Sequence, residues 1–260
     1  MIYVTGDTHG DFRRFTKERR KSLPFKLTKK DYVIVCGDFG LCWTRDEEFT
    51  YDCEWFSKMP FTLLWVQGNH ENYNMIAEYP IEEWNGGKVR HIVRDKIILL
   101  ERGQVFKIDG KKIFTFGGAS SHDVQGGILD KSSPTYMSDY ERASKSGLPF
   151  RVLDVSWWKQ ELPTEEELQE GRDNLAKVDY KVDYVITHCA ANRIQYELEL
   201  YKARIGYSRG RYQQDILTNY FEELEEKLEY TKWFCGHYHD EFCIDEKHTI
   251  LYHKIIPIED

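Results

Sequence analysis

The chain has 260 residues, 41% of them hydrophobic and 31% charged, and a formal net charge of −8. That balance describes a globular protein with a sizeable core and weighs against a strongly basic nucleic-acid-binding surface. No apolar stretch approaches the ~20 residues a membrane span needs and the N-terminus does not read as a secretory leader, so a cytoplasmic protein is expected. The cysteines Cys36, Cys42, Cys53, Cys189, Cys235 and Cys243 form no Cys-x-x-Cys pair or disulfide framework. They read as small buried hydrophobes in a reducing compartment.

The first strand is expected over Met1–Thr5, after which Asp11 can cap a helix carrying Phe12 and Phe15. A second strand follows at Tyr32–Cys36. Thr44 with Glu47 offers a capping box for a helix that sets Phe49, Cys53 and Phe56 on one side. A third strand at Thr62–Val66 completes an alternation that predicts a parallel sheet with crossover connections. Ile97–Leu100, Val105–Ile108 and Lys112–Phe116 read as a small antiparallel set, with Asp109-Gly110 as a hairpin turn. Residues 119–150, rich in Ser, Gly and Asp with two prolines, read as long loops. Thr164 with Glu167 starts another capped helix, and Tyr184–Thr187 and Lys232–Cys235 are strands. Between them, Arg211–Leu228 keeps Leu217, Tyr220, Phe221 and Leu224 on one apolar face. A last strand is expected over Ile250–Ile256. With no repeat or linker, residues 1–260 read as a single domain, elaborated at about 119–162 and with a possible substrate-facing segment at 190–212.

Five segments carry chemistry, each directly after a strand-like run: Gly6-Asp7-Thr8-His9-Gly10, Gly37-Asp38, Gly68-Asn69-His70-Glu71, Thr187-His188-Cys189 and Gly236-His237-Tyr238-His239. In extended chain, residues two apart point the same way, so Asp7 with His9, and His237 with His239, can face one ion together. Parallel sheets gather ligands at the carboxyl ends of their strands, so the five loops should converge on one crevice. Imidazole plus carboxylate suits Mn, Fe or Zn and not an all-oxygen calcium site. So many donors exceed what one catalytic ion with an open position uses; they suit two ions sharing a carboxylate, ~3.5–4 Å apart.

These blocks, in this order, resemble the calcineurin-like metallophosphoesterase superfamily, bacterial-type metallophosphatases among them. The resemblance runs from Gly6 to His239. It implies an α/β fold with mixed sheets, a four-layer αββα sandwich with two sheets face to face and helices outside. It also implies two divalent or trivalent transition-metal ions as cofactors, with Asp7, His9 and His239 on the first, Asn69, His188 and His237 on the second, and Asp38 bridging. His70 would be no ligand. It would stand over the scissile bond and assist attack by a metal-bridging hydroxide. The expected activity is hydrolysis of a phosphomonoester or phosphodiester, and the expected partner a phosphorylated small molecule or nucleotide.

The sequence also departs from one branch of that superfamily. Where its protein phosphatases continue Gly-Asp-x-Val-Asp-Arg-Gly, this chain reads Gly37-Asp38-Phe39-Gly40-Leu41-Cys42-Trp43. Leu41 replaces the Asp that would orient the catalytic histidine, and Cys42 the phosphate-binding Arg, so His70 has no identified orienting partner. Candidates for substrate contact are Arg45, His122 after Gly117-Gly118-Ala119, and Arg193, which opens a basic stretch with Arg204, Tyr207, Arg209 and Arg211. Trp157-Trp158 could form a lid or simply pack. Two other function classes compete. A nuclease would use the same metal centre, against the acidic net charge; a non-catalytic scaffold would be expected to have lost ligands that are all present here.

Overall fold

In the computed structural model, residues 1–207 and 212–259 are described; Arg209 and Arg211 lie outside them. Along the chain, β1 (Ile2–Thr5), β2 (Tyr32–Val35) and β3 (Thr62–Trp65) pair in parallel. The helices between and after them are α1 (Lys17–Lys21), α2 (Glu47–Ser57) and α3 (Tyr73–Ala77). β4 (Ile81–Trp84) and β5 (Gly87–Val93) form an antiparallel pair, and β6 (Ile97–Leu100) closes onto β5 antiparallel and β3 parallel.

The expectation that residues 97–118 form one antiparallel set is therefore corrected. Ile97, Ile98, Leu99 and Leu100 are all at most 1% exposed. A strand apolar on both faces belongs inside a covered sheet. Only β7 (Gln104–Ile108) and β8 (Lys111–Phe116) make the hairpin, and Asp109 and Gly110 both take positive φ (48° and 81°), as a two-residue turn of this hand requires.

Residues 119–150 are not all loop. β9 (Ile128–Leu129) pairs in parallel with β10 (Arg151–Val152), and α4 (Tyr136–Ser146) lies between them. Ala143 is the one buried residue of α4, so the helix offers no apolar stripe by which it could be read. After α5 (Glu165–Ala176), which has the expected Thr164–Glu167 capping box, come β11 (Tyr184–Thr187), α6 (Asn192–Arg204) and α7 (Ile216–Lys227). The chain ends with β12 (Lys232–Cys235), β13 (Phe242–Cys243), β14 (His248–Ile250) and β15 (Ile256–Pro257).

Two boundaries also move. α2 is capped by Asp46, whose carboxylate accepts from the Phe49 amide at 2.9 Å, and not by Thr44; an anion at the helix N-terminus has the dipole in its favour. The expected strand over Ile250–Ile256 is two strands in different sheets, β14 pairing with β12 and β15 with β1. The chain crosses between the sheets at Leu251–Ile255.

The result is four layers. The first sheet has the order β15-β1-β2-β3-β6-β5-β4 and the second β13-β14-β12-β11-β8-β7. Strand alternation assigns the faces. Ile2, Val4, Ile34, Leu64, Ile98, Ile113, Ile186 and Phe234 meet between the sheets. Tyr3, Val33, Val35, Leu63 and Trp65 point the other way, onto Phe56 of α2 and Met75 and Ile76 of α3. Phe114, Phe116, Val185 and Trp233 of the second sheet pack on α5, α6 and α7 through Leu168, Leu198 and Phe221. Phe234, fully buried in the middle layer, has no room to relax around a deletion. Phe234→Ala is expected to cost ~3–5 kcal/mol of stability, read as a lower urea midpoint at unchanged slope.

Candidate metal centre

The parallel strands end on one edge, and the five loops leave there. Their glycines make close approach possible: a Cβ on Gly68 would sit 1.9 Å from Asp38 Oδ1, and one on Gly236 2.1 Å from Asp7 Oδ1. Four candidate ligands hold left-handed backbone, His9 (φ 47°), Asp38 (48°), His237 (69°) and His239 (49°). Each such residue costs roughly 1 kcal/mol or more, and all four turn their side chains into the same space.

Two groups of donors result. Asp7, His9 and His239 form the first, their ligand atoms all within 4.8 Å of one another. His239 Nε2 lies 3.2 Å and His9 Nε2 3.7 Å from Asp7 Oδ2, and the two imidazole nitrogens are 2.8 Å apart. Asn69, His188 and His237 form the second, with Asn69 Oδ1 3.1 Å from both His188 Nε2 and His237 Nδ1. Asp38 stands between them, Oδ1 3.4 Å from His188 Nε2 and Oδ2 3.7 Å from His9 Nε2. All seven expected ligands are thus brought together.

The residues fit metal ions by their chemistry. Lone pairs of oxygen and imidazole nitrogen converge on a largely buried space holding two carboxylates, Asp7 and Asp38, each 1% exposed. Burial pulls the His188 pKa down, yet Asp38 and Asp7 outweigh it and raise it to about 9, so the pair draws positive charge inward. His237, half-buried beside the other histidines, is driven well below its usual value, by burial first and then by the charge of His188. Neutral imidazole is the ligand form.

Surrounding groups aim the donors. His188 Nδ1 lies 2.7 Å from the Cys36 carbonyl, which places its hydrogen there and leaves Nε2 free to ligate. Asn69 Nδ2 donates to Ser121 Oγ at 3.2 Å, and Ser121 donates to Glu161 Oε2 at 2.6 Å, so Asn69 Oδ1 faces the histidines. Buried Arg102 ties this shell together through the Gly117 and Gln160 carbonyls and the Tyr73 hydroxyl, while Tyr73 donates to the Gly68 carbonyl. Tyr252 stacks on the His239 ring at 4.7 Å. Glu71 accepts from the Phe39 amide at 2.9 Å, and burial, then the charge of Asp38, pushes its carboxyl up to about 8. None of these supporting partners was identified from the sequence, although Ser121 sits in the Gly-Gly-Ala segment noted there.

His70 lies outside both groups. Its backbone amide donates to Asp38 Oδ1 at 2.7 Å, and its ring centroid is 5.4 Å from that of His9. Its missing orienting partner comes from the elaborated middle of the chain. Arg151, on β10, places a guanidinium nitrogen 3.3 Å from His70 Nδ1 and is itself paired with Asp123. A guanidinium only donates, so His70 Nδ1 accepts and the ring hydrogen of the neutral form sits on Nε2. Burial, and Arg151 after it, hold His70 below its usual pKa despite the opposing charge of Asp38. Asp123–Arg151 thus stands beside His70, for which the sequence offered no orienting partner, while Leu41 and Cys42 are both buried. Arg151→Met is expected to lower activity by about 10- to 100-fold with metal content unchanged, checked by steady-state kinetics beside elemental analysis.

The other candidates for substrate contact fare differently. His122 lies beside the donor cluster, its ring packed edge-on against His237 at 5.7 Å. Arg45 pairs with Glu78 at 2.7 Å and lies over Phe49 and Tyr79, and Arg193 pairs with Glu225 at 3.3 Å and Asp245 at 3.8 Å. Neither arginine is brought to the donor cluster. Trp158 is buried and packs edge-on against Trp43 at 5.4 Å, which makes it packing and not a lid. All six cysteines are free, and Cys36, Cys42, Cys189 and Cys235 are buried. Among the described residues no helix is long and apolar enough to cross a membrane.

The chain was compared with known proteins. It matches the calcineurin-like phosphoesterase family over residues 1–241. Among solved structures it is similar to phosphopantetheinyl hydrolase from Mycobacterium tuberculosis, at 16% identity, over 97% of this chain and 89% of that one, with a TM-score of 0.43. No curated protein matches the sequence. The family match spans all five loops that build the donor cluster, and the chain accordingly belongs to the calcineurin-like phosphoesterases and is a phosphoester hydrolase.

Proposed function

We propose that the cluster holds two transition-metal ions, Mn, Fe or Zn, and that the protein hydrolyses the ester of a phosphorylated small molecule. The observation that carries this is the position of Asp38, whose two oxygens face one donor group each. Asp7, His9 and His239 would hold one ion, Asn69, His188 and His237 the other, with Asp38 shared. When bound, the ions supply Lewis-acid polarisation of the phosphoryl group and make hydroxide available near neutral pH.

The chain's own residues do the rest. The donor groups set where phosphorus must sit. Arg151 is placed to hold a phosphoryl oxygen by a charge-assisted hydrogen bond while fixing the His70 ring. His70, with its hydrogen on Nε2, is placed to donate a hydrogen bond that steadies charge on that group and on the departing oxygen. Asp46, Glu48 and Asp52 line the cleft beside His70, and such carboxylates oppose a polyanionic nucleic-acid backbone.

The test is elemental analysis of the purified protein together with an assay of p-nitrophenyl phosphate and its diesters in Mn²⁺. Bound transition metal and chelator-sensitive hydrolysis are expected; a metal-free protein inert towards every ester would sink the reading. Salt-sensitive binding to single- or double-stranded nucleic acid would instead favour a nuclease.

A further inference from the structure

We infer that the substrate is a phosphodiester whose two alcohol arms lie in two separate cavities that meet at the donor cluster. This rests on the phosphoesterase reading above. The first cavity, of about 700 Å³, opens at His9 and His70 and is walled by Trp43, Phe49 and Arg151. The second, of about 810 Å³, opens at His122 and His237 and runs between the loop after β8 and helices α6 and α7. His239 belongs to the wall of both. The phosphoryl position therefore has a cavity on either side of it. A monoester has one alcohol arm and fills one of them.

Gln195, 6% exposed, belongs to the wall of the second cavity. Tyr196, Tyr212 and Gln213 stand around it with Glu199, Lys202 and Asp215, a wall of rings, amides and charges of both signs that suits a hydrogen-bonding arm. The first cavity combines the aromatic walls of Trp43 and Phe49 with three carboxylates, Asp46, Glu48 and Asp52. It suits an apolar or cationic arm and disfavours one carrying further phosphates.

His70 lines the first cavity only, which decides the polarity of cleavage. The oxygen of water bonds to phosphorus as the P–O bond to the first-cavity arm breaks. That arm departs as an alcohol carrying one of the water's two protons, with His70 Nε2–H placed to hydrogen-bond the departing oxygen. The second arm stays on phosphorus as a phosphomonoester, and the water's other proton stays on that product or passes to solvent.

The test compares p-nitrophenyl phosphate, bis(p-nitrophenyl) phosphate and p-nitrophenyl phosphorylcholine with the metal-loaded protein. Binding energy from the second arm is expected to make kcat/KM for the better diester at least about tenfold that of the monoester. Ala203 is an exposed residue of α6 on the wall of the second cavity. Ala203→Trp is expected to lower the ratio of diester to monoester kcat/KM about tenfold or more, with metal content and melting temperature followed alongside. Turnover of the monoester with diesters no better, or a ratio unmoved by Ala203→Trp, overturns the two-cavity inference and leaves the phosphoesterase reading standing. Inertness towards all three esters removes both.

Discussion

Asp38→Asn is expected to cost activity at least about 10³-fold and to reduce the metal bound per chain. The side chain is 1% exposed, its backbone holds a φ of 48°, and its two oxygens face opposite donor groups. An amide keeps the shape but loses the charge, and its nitrogen cannot accept. The shared position would then serve one group at most. The same Oδ1 accepts the His70 amide at 2.7 Å, so an asparagine that turned its nitrogen that way would also release the His70 loop. Elemental analysis beside kinetics checks this. Two ions retained at full occupancy with normal activity would show that Asp38 does not bridge.

His70→Ala should separate chemistry from metal binding. The loss expected is about 10²–10³-fold in kcat, the range of one positioned hydrogen-bond donor to developing charge, with both ions kept. The reason is geometric: the ring stands apart from the two donor groups and is held at Nδ1 by Arg151, while only its backbone amide touches Asp38. Removing the ring leaves that amide in place. A fall in metal content parallel to activity would make His70 a ligand and overturn its assigned role.

The five loops were legible in the sequence because metal-ligand chemistry is local. Each block needs a strand and one or two donors within four residues, with a glycine in all but the Thr187-His188-Cys189 block, and the strands were marked by short apolar runs. The Thr164–Glu167 cap and the Asp109-Gly110 turn were readable for the same reason, since the groups that decide them are neighbours in the chain. α4 was not, because it buries little and carries no apolar stripe. β6 was placed with the wrong sheet, because which sheet covers a fully apolar strand depends on partners far away. The split of β14 from β15 likewise follows from two sheets lying face to face.

The substrate end of the site shows the contrast most clearly. From the sequence, Leu41 left His70 without an orienting partner and Cys42 removed a phosphate-binding arginine, for which Arg45 and Arg193 were candidate replacements. Both are engaged with carboxylates, and the group beside His70 is Arg151, 81 residues away in the chain. No local pattern marks Arg151, since a two-residue strand at the end of a polar insertion resembles many surface segments. Charge pairing with Asp123 and the parallel pairing of β9 with β10 bring it there. The amino-acid sequence by itself determined the family and the candidate donors that the fold brings together, because those residues sit in motifs a few residues long. Only the tertiary structure decided what surrounds them, because groups that orient a side chain act through space across loops, at distances no spacing in the chain records.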